Sequence, residues 1–167
     1  LQMVEVTVRN AISCRVISRF GRGWYSSTAF SSILLPKYAE ELNKLVITEQ
    51  VERGAGFSGD HVISGLSFGF WVNLLTSRYS THLWASGVHV AFPHAPVGLL
   101  RDDAHGKIDK LRNFRNKVAH HYAIFDRGPV KHLRNIEDVI SWVSPDCLWL
   151  VRQASNVQSV INQRPHE

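Results

Sequence analysis

Cysteine is scarce in this chain of 167 residues, since only Cys14 and Cys147 occur, each alone within an apolar stretch. Two isolated thiols do not make the disulfide framework of a small secreted protein, nor the paired cysteines of a zinc site. We expect both to be buried thiols in a reducing cytosol, which predicts a cytoplasmic protein. A disulfide between Cys14 and Cys147 is the less favoured alternative.

The chain also lacks a long apolar run without charges, and its mean hydropathy is slightly negative. Both features argue against a membrane span. The first ten residues, LQMVEVTVRN, have neither the basic region nor the apolar core of a signal peptide. Because the chain begins with Leu1, we expect upstream sequence to have been removed. No membrane partner is predicted.

Alternation of apolar and polar residues, the pattern of a half-buried strand, is absent, and so are repeats and low-complexity segments. Apolar residues make up 44% of the chain and recur at helical spacing. The pattern predicts one all-α bundle over residues 1–167. The expected helices are 3–20, 36–48, 61–75 with Asp60 as its N-cap, a long one from about 97 to 121, 131–143 and 145–161. Residues 77–92 are ambiguous, and VITEQV (46–51) could form one short strand.

Basic residues are concentrated in one segment. The chain has a net charge of +5, and nine of its 19 basic residues lie between Arg101 and Arg134 with four of its 14 acidic residues. The excess positive charge is therefore confined to this segment. Such a local field attracts polyanions, nucleic acids included. An ordinary solvated helix face is the alternative.

Within that segment lies LRNFRNKVAHHY (111–122), whose Arg115 and His120 suit chemistry on a phosphodiester. Arginine provides a fixed charge and a fork of donors for phosphate oxygens. A histidine gives or takes a proton near neutral pH, so His120 is the candidate general acid or base. Asn116 would position the phosphate or orient His120. A structural histidine and a surface salt bridge of Arg115 to Asp109 or Asp126 are the alternatives.

The spacing of these residues bears on how a site could form. On a straight helix Arg115 lies about 140° from His120 around the axis, so the two do not readily face one phosphate. Two such helices packed about a two-fold axis could complete each other's site, which favours a homodimer. Arg112, Lys117 and His121 are weaker candidates for phosphate contact.

Other chemistry is less well supported by the residues. Nine histidines occur, but none forms a His-x-x-x-His pair and no acid stands at ligand spacing beside His120, so no metal or other cofactor is predicted. Phe68, Phe70, Trp71 and Trp84 could stack bases in a single-strand reader. For Phe68, Phe70 and Trp71, which lie within an apolar helix, a place in the core is favoured.

Six segments together resemble the Abi-like proteins of bacterial abortive-infection systems, a branch of the HEPN superfamily. They occur in the family's order and span most of the chain. They are VEVTVRNAI (4–12), FGRGWY (20–25), LSFGFWVNLL (66–75), LWASGVHVAFPHAP (83–96), LRNFRNKVAHHYAIF (111–125) and ISWVSPD (140–146). The family carries more helix before the first segment, so the chain resembles its C-terminal HEPN part and is N-terminally incomplete relative to it.

The resemblance implies a metal-independent endoribonuclease with Arg115, Asn116 and His120 on the family's Arg-Asn-x-x-x-His motif. It also implies a dimer whose two motifs meet in one cleft, and cleavage that leaves a 2′,3′-cyclic phosphate and a 5′-hydroxyl. The Glu-x-x-x-Arg-Asn segment places Arg9 or Asn10 beside that cleft. Structural support, including an ion pair of Glu5 with Arg9, is the alternative. Tyr122 stands where many relatives have Glu.

The leading hypothesis is therefore an RNA-cleaving effector of a bacterial phage-defence or toxin–antitoxin system, with RNA and an antitoxin or regulatory protein as partners. The second is a catalytically inactive HEPN module that binds RNA, a nucleotide or a partner protein. The third is a helical interaction domain whose basic stripe binds any polyanion.

Overall fold

A computed structural model describes residues 1–124 and 128–163 of the protein, and all regular secondary structure in this part is helical. The predicted all-α bundle is confirmed. The helices are α1 Gln2–Phe20, α2 Thr28–Ser31, α3 Pro36–Arg53, α4 Gly59–Gly65, α5 Phe68–Asn73, α6 Ser80–Leu83, α7 Arg101–Ala119, α8 Pro129–Val143, α9 Pro145–Ala154 and α10 Val157–Asn162.

The N-terminal helix α1 lies at the centre of the bundle. It packs mainly against α8, with further contacts to α5, α4 and α6. Its apolar stripe recurs every three or four residues, so one face is withdrawn from water along its whole length. Val4, Val8, Ile12 and Val16 are all fully buried. On α8, Val139 and Ile140 are fully buried as well.

Aromatic residues fill the other side of this core. Trp24 packs edge-on against Phe30 and Trp71, with ring centroids 5.4 and 5.8 Å apart. Phe68, Phe70 and Trp71 are buried, so the prediction that they belong to the core is confirmed, and Trp84 is buried as well. Trp84 also donates from Nε1 to the carbonyl of Leu74 at 2.6 Å. These rings offer no surface on which a nucleic-acid base could stack.

Several predicted boundaries are wrong, and the reasons are local. The helix predicted over 61–75 is two helices, because Leu66 and Ser67 are extended and the Ser67 side chain caps α5 by accepting from the Phe70 N–H at 3.1 Å. The N-cap of α4 is Ser58 rather than Asp60. The helix predicted over 145–161 is likewise interrupted, at the extended Ser155.

Two further expectations are also corrected. VITEQV lies within α3, where Pro36 at the first turn starts a helix that continues to Arg53, so the strand alternative is wrong. Cys14 is exposed and Cys147 is partly buried, and both are free thiols. The prediction of two buried thiols is therefore wrong, since Cys14 lies on the side of α1 that faces away from the core.

No helix in residues 1–124 and 128–163 has both the length and the apolar character needed to cross a membrane.

Candidate functional site

The motif helix α7 is shorter than the sequence predicts at both ends. It begins at Arg101 because Gly98 has a positive φ of 82° and Leu100 is extended. It ends at Ala119, so the predicted span of about 97 to 121 is wrong. His120 follows as the C-cap, and its N–H still donates to the carbonyl of Asn116 at 3.0 Å.

Beyond His120 the chain reverses in a Schellman motif. The N–H of His121 donates to the carbonyl of Val118, and that of Tyr122 to the carbonyl of Lys117, both at 3.0 Å. This pattern needs a left-handed residue after the C-cap, usually glycine. Here His121 takes that conformation with φ of 57°, the one non-glycine positive φ in the described part of the chain. Both histidine side chains are exposed at the end of α7.

Arg115 bridges α7 to α1. Its Nε lies 2.9 Å from Oε2 of Glu5, and its Nη1 donates to Oδ1 of Asn116 at 3.3 Å. The Arg115 side chain is 38% exposed and that of Glu5 18%. The sequence predicted a salt bridge of Arg115 with Asp109 or Asp126 as the alternative to phosphate binding. Arg115 does form a salt bridge, but with Glu5, and Asp109 pairs with Arg112 instead. Asp126 lies outside the described residues, as does Phe125 of the quoted motif.

A groove opens beside this ion pair, between the first turns of α1 and the last turn of α7. It has a volume of about 360 Å³ and is lined by Glu5, Arg9, Arg115, Val118 and Ala119, among others. We call it the Arg115 groove. Within the described residues Nη2 of Arg115 has no hydrogen-bond acceptor, which leaves one donor group of the guanidinium for a ligand.

Arg9 lies in the wall of the same groove. Its Nη1 donates weakly to the carbonyl of Ser64 at 3.5 Å, while its buried Nε has no hydrogen-bond partner in the part of the chain described. The predicted ion pair of Arg9 with Glu5 is not formed there, because Glu5 pairs with Arg115 instead. The structure thus brings Arg9 to the candidate site, whereas the neighbouring Asn10 is exposed and does not line the groove.

Arg112 is held away from the groove by its own neighbours. Its Nε lies 2.8 Å from Oδ1 of Asp109, and its Nη2 donates to Oδ1 of Asn113 at 3.2 Å. Asn113 in turn donates to Asp109 at 3.1 Å, which closes a local cluster. Two of the three guanidinium nitrogens of Arg112, Nε and Nη2, are therefore already engaged.

Arg115 and His120 lie on different sides of α7. At about 100° per residue, Val118 and Ala119 lie within about 60° of Arg115, whereas His120 lies about 140° away. His120 is instead about 60° from Lys117 by the same geometry. Because the His120 N–H keeps the helical hydrogen bond, its Cα continues the helical path. One copy of α7 therefore does not present both side chains to one phosphate.

The side of α7 opposite the Arg115 groove faces α8 across a larger groove of about 720 Å³. Its basic residues are Lys107, Lys110, Lys117 and Lys131, so we call it the lysine groove. In its wall the His132 ring stacks on Phe114, with centroids 3.7 Å apart and planes 5° from parallel. Asp102 and Asp103 lie at the end near the start of α7.

Arg115, His120, Lys117 and Arg9 were predicted from the sequence as candidate site residues. The role of Glu5 and the α8 wall of the lysine groove were not predicted. Glu5 stands four residues before Arg9, and these two share a helix face. That spacing predicted an ion pair within α1, but in the structure Glu5 pairs with Arg115 of α7. Nothing in the sequence predicted that α8 lies beside α7.

No group of three histidine, cysteine, aspartate or glutamate side chains among the described residues could hold a metal ion. Comparisons with protein-family models, with curated proteins and with solved structures found no match to this chain.

Proposed function

We propose that this protein is a metal-independent endoribonuclease that resembles the Abi-like HEPN proteins and acts in the bacterial cytoplasm, in phage defence or a toxin–antitoxin pair. In this reaction the ribose 2′-oxygen attacks the adjacent phosphorus and the bond to the 5′-oxygen breaks. The 2′-hydroxyl loses a proton and the leaving 5′-oxygen gains one. The products are a 2′,3′-cyclic phosphate and a 5′-hydroxyl.

The observation that carries this proposal is the Arg115 groove. It places two arginines, Arg9 and Arg115, in an open recess at the end of the helix that exposes His120. Glu5 and Asn116 fix the Arg115 fork, so the charge does not have to be ordered when a phosphate arrives. Preorganised donors of this kind stabilise the charge that builds on the non-bridging oxygens.

The distribution of Arg115 and His120 over two sides of α7 supports a composite site. In a homodimer with two-fold symmetry, the Arg115 groove of one subunit could face the His120 of the other. His120 would then transfer the proton while the partner subunit's Arg115 binds the phosphate. Met3, which is 40% exposed, and Tyr122, which is 62% exposed, lie at the ends of α1 and α7 and add apolar surface there.

The experiment is cleavage of a labelled single-stranded RNA in the presence of EDTA. We expect full activity with chelator and none where the attacked nucleotide carries a 2′-deoxyribose, because the nucleophile is then missing. His120→Ala should lower the rate by about 10²–10⁴-fold, and Arg115→Ala by about 10²–10³-fold.

Matched controls are His82→Ala and Arg19→Ala, which remove exposed residues of the same types outside both grooves. They should cleave at the wild-type rate, and all four variants should keep the wild-type circular dichroism. Loss of activity in EDTA, or a His120→Ala protein as active as the His82→Ala control, would refute the proposal.

A second function, an RNA-binding module without catalysis, is favoured by one observation. The Glu5 carboxylate already neutralises Arg115 at 2.9 Å, which weakens the field that the guanidinium offers to a phosphate. Such a module would bind the labelled RNA in the same assay and leave it uncut, whatever metal is added.

A further inference from the structure

The lysine groove has positive charge on both walls and no part in the cleavage chemistry proposed above. Lys110 and Lys117 stand seven residues apart on α7, about 10 Å along its axis, and Lys131 faces them from α8. In the ion pairs of the described residues none of these three lysines takes part. Their charge is therefore available to a ligand.

The charge of the groove is also graded along its length. At the end near the start of α7, Asp103 is exposed, Asp102 pairs with Arg101 at 2.7 Å, and Lys107 is neutralised by Asp138 at 2.5 Å. At the other end lies Lys117, three residues before His120. An extended polyanion is therefore held more strongly towards the second end than towards the first.

The groove lining favours a sugar–phosphate backbone over the edges of bases. Lysine ammonium groups are hydrated point charges that contact phosphates without fixed geometry. The polar neighbour on α8 is the amide of Asn135, which can both donate to phosphate oxygens and accept from ribose hydroxyls. The parallel stack of Phe114 and His132 makes part of the wall flat. A recess between two helices also suits a flexible single strand.

We propose that the lysine groove binds the backbone of a single RNA strand and leads it to His120. This inference rests on the proposed function, because it names the path by which the substrate reaches the end of α7. In this proposal Lys110, Lys117 and Lys131 bind the RNA backbone. The Arg115 groove, on the opposite side of the helix, has no part in that binding.

The test measures binding of a fluorescent, fully 2′-O-methylated single-stranded RNA, which keeps its phosphates but cannot be cut by 2′-oxygen attack. The variant is Lys110→Ala/Lys117→Ala/Lys131→Ala. If each lysine neutralises one phosphate, affinity at 0.1 M salt falls up to about a hundredfold. The slope of log affinity against log salt then falls by about 2. Alanine favours helix, so the variant should fold.

The control is Arg19→Ala/Arg22→Ala/Lys44→Ala, which removes three exposed charges elsewhere on the surface and leaves the same net charge. It should bind like the wild type. Equal losses in both triple variants, or wild-type binding by the lysine variant, would overturn the inference. Because Asn135 and the flat wall favour a sugar–phosphate chain, unlabelled RNA should displace the probe at a lower concentration than polyglutamate of equal charge. Equal displacement by the two would show a general polyanion site and would overturn the inference too.

Failure of this inference is distinguishable from failure of the proposed function. Wild-type protein that binds the methylated RNA through the three lysines but never cuts unmodified RNA would refute catalysis alone. A lysine variant that binds and cuts normally would refute the groove assignment alone. If the triple variant does not fold, Lys117→Gln replaces it, with an expected decrease in the salt slope of about 0.7.

Discussion

The basic residues on the two long sides of α7 differ in whether they are paired with an acidic residue. Towards α1, Arg115 is paired with Glu5 and held by Asn116, so its fork has a fixed orientation. Towards α8, Lys110, Lys117 and Lys131 have no ion pair with any described residue. A fixed arginine serves a contact that needs geometry, whereas unpaired lysines serve one that needs only charge. We infer that the first side is built for chemistry and the second for affinity.

The largest expected effect comes from mixing two inactive variants, each of which lacks one of the two proposed site residues, Arg115 or His120. Arg115→Ala and His120→Ala proteins should each be nearly inactive, since each removes a group worth about 10²-fold or more. When the two are mixed and allowed to exchange subunits, about half of the dimers are mixed and each contains one intact site, so about a quarter of the wild-type activity should return. Cleavage rates before and after exchange measure this.

The control for the mixing experiment is Arg115→Ala mixed with a protein carrying both substitutions, in which no site can be complete. It should stay inactive. Sedimentation of the wild type should show a dimer at micromolar concentration, and an active monomer would end the composite-site model.

A smaller effect is expected when the arginine on the first side is replaced by lysine and a lysine on the second side by arginine. Arg115→Lys keeps the charge but loses the fork that reaches Glu5 and Asn116 together, so cleavage should fall by about tenfold or more. Lys117→Arg should leave both cleavage and binding close to wild type, because a point charge suffices there. Rates and affinities of the two variants are compared at one salt concentration. Equal sensitivity of the two positions would remove the distinction between the sides.

The smallest expected effect concerns the end of α7, where the two sides meet. His121→Gly removes the cost of a left-handed conformation at φ 57° and should raise the free energy of unfolding by up to about 1 kcal/mol. His120→Gly is the matched control, because φ there is −94° and no strain is relieved, so stability should fall. Urea unfolding measures both, and a His121→Gly protein less stable than the wild type would contradict the assignment of strain.

The all-α class and the course of α1, α3, α7 and α8 were predictable because their apolar residues recur at helical spacing over many turns. The breaks at Ser67 and Ser155 were not, since an extended residue interrupts the backbone without interrupting the apolar pattern. The early end of α7 has a similar cause. A histidine in the left-handed conformation carries no glycine signal, so the sequence predicted a helix through His121.

For the candidate site, the sequence identified residues and the structure supplied their partners. The angle between Arg115 and His120 followed from helix geometry alone, and the described helix retains it. The partner of Arg115 did not follow, because Glu5 is 110 positions away and its local neighbour Arg9 is an equally plausible cation. The α8 wall of the lysine groove depends on how two helices pack, which no local pattern encodes.

The packing of α1 against α8 has a consequence for how the chain folds during synthesis. The apolar face of α1 finds its main partner only after residues 129–143 have been made. At about 5–20 residues per second, that takes on the order of ten seconds after α1 emerges. During this interval the buried face of α1 lacks its packing against α8, so the nascent chain is exposed to aggregation and to chaperones. Closing such a long loop also makes the native contacts non-local, which slows folding.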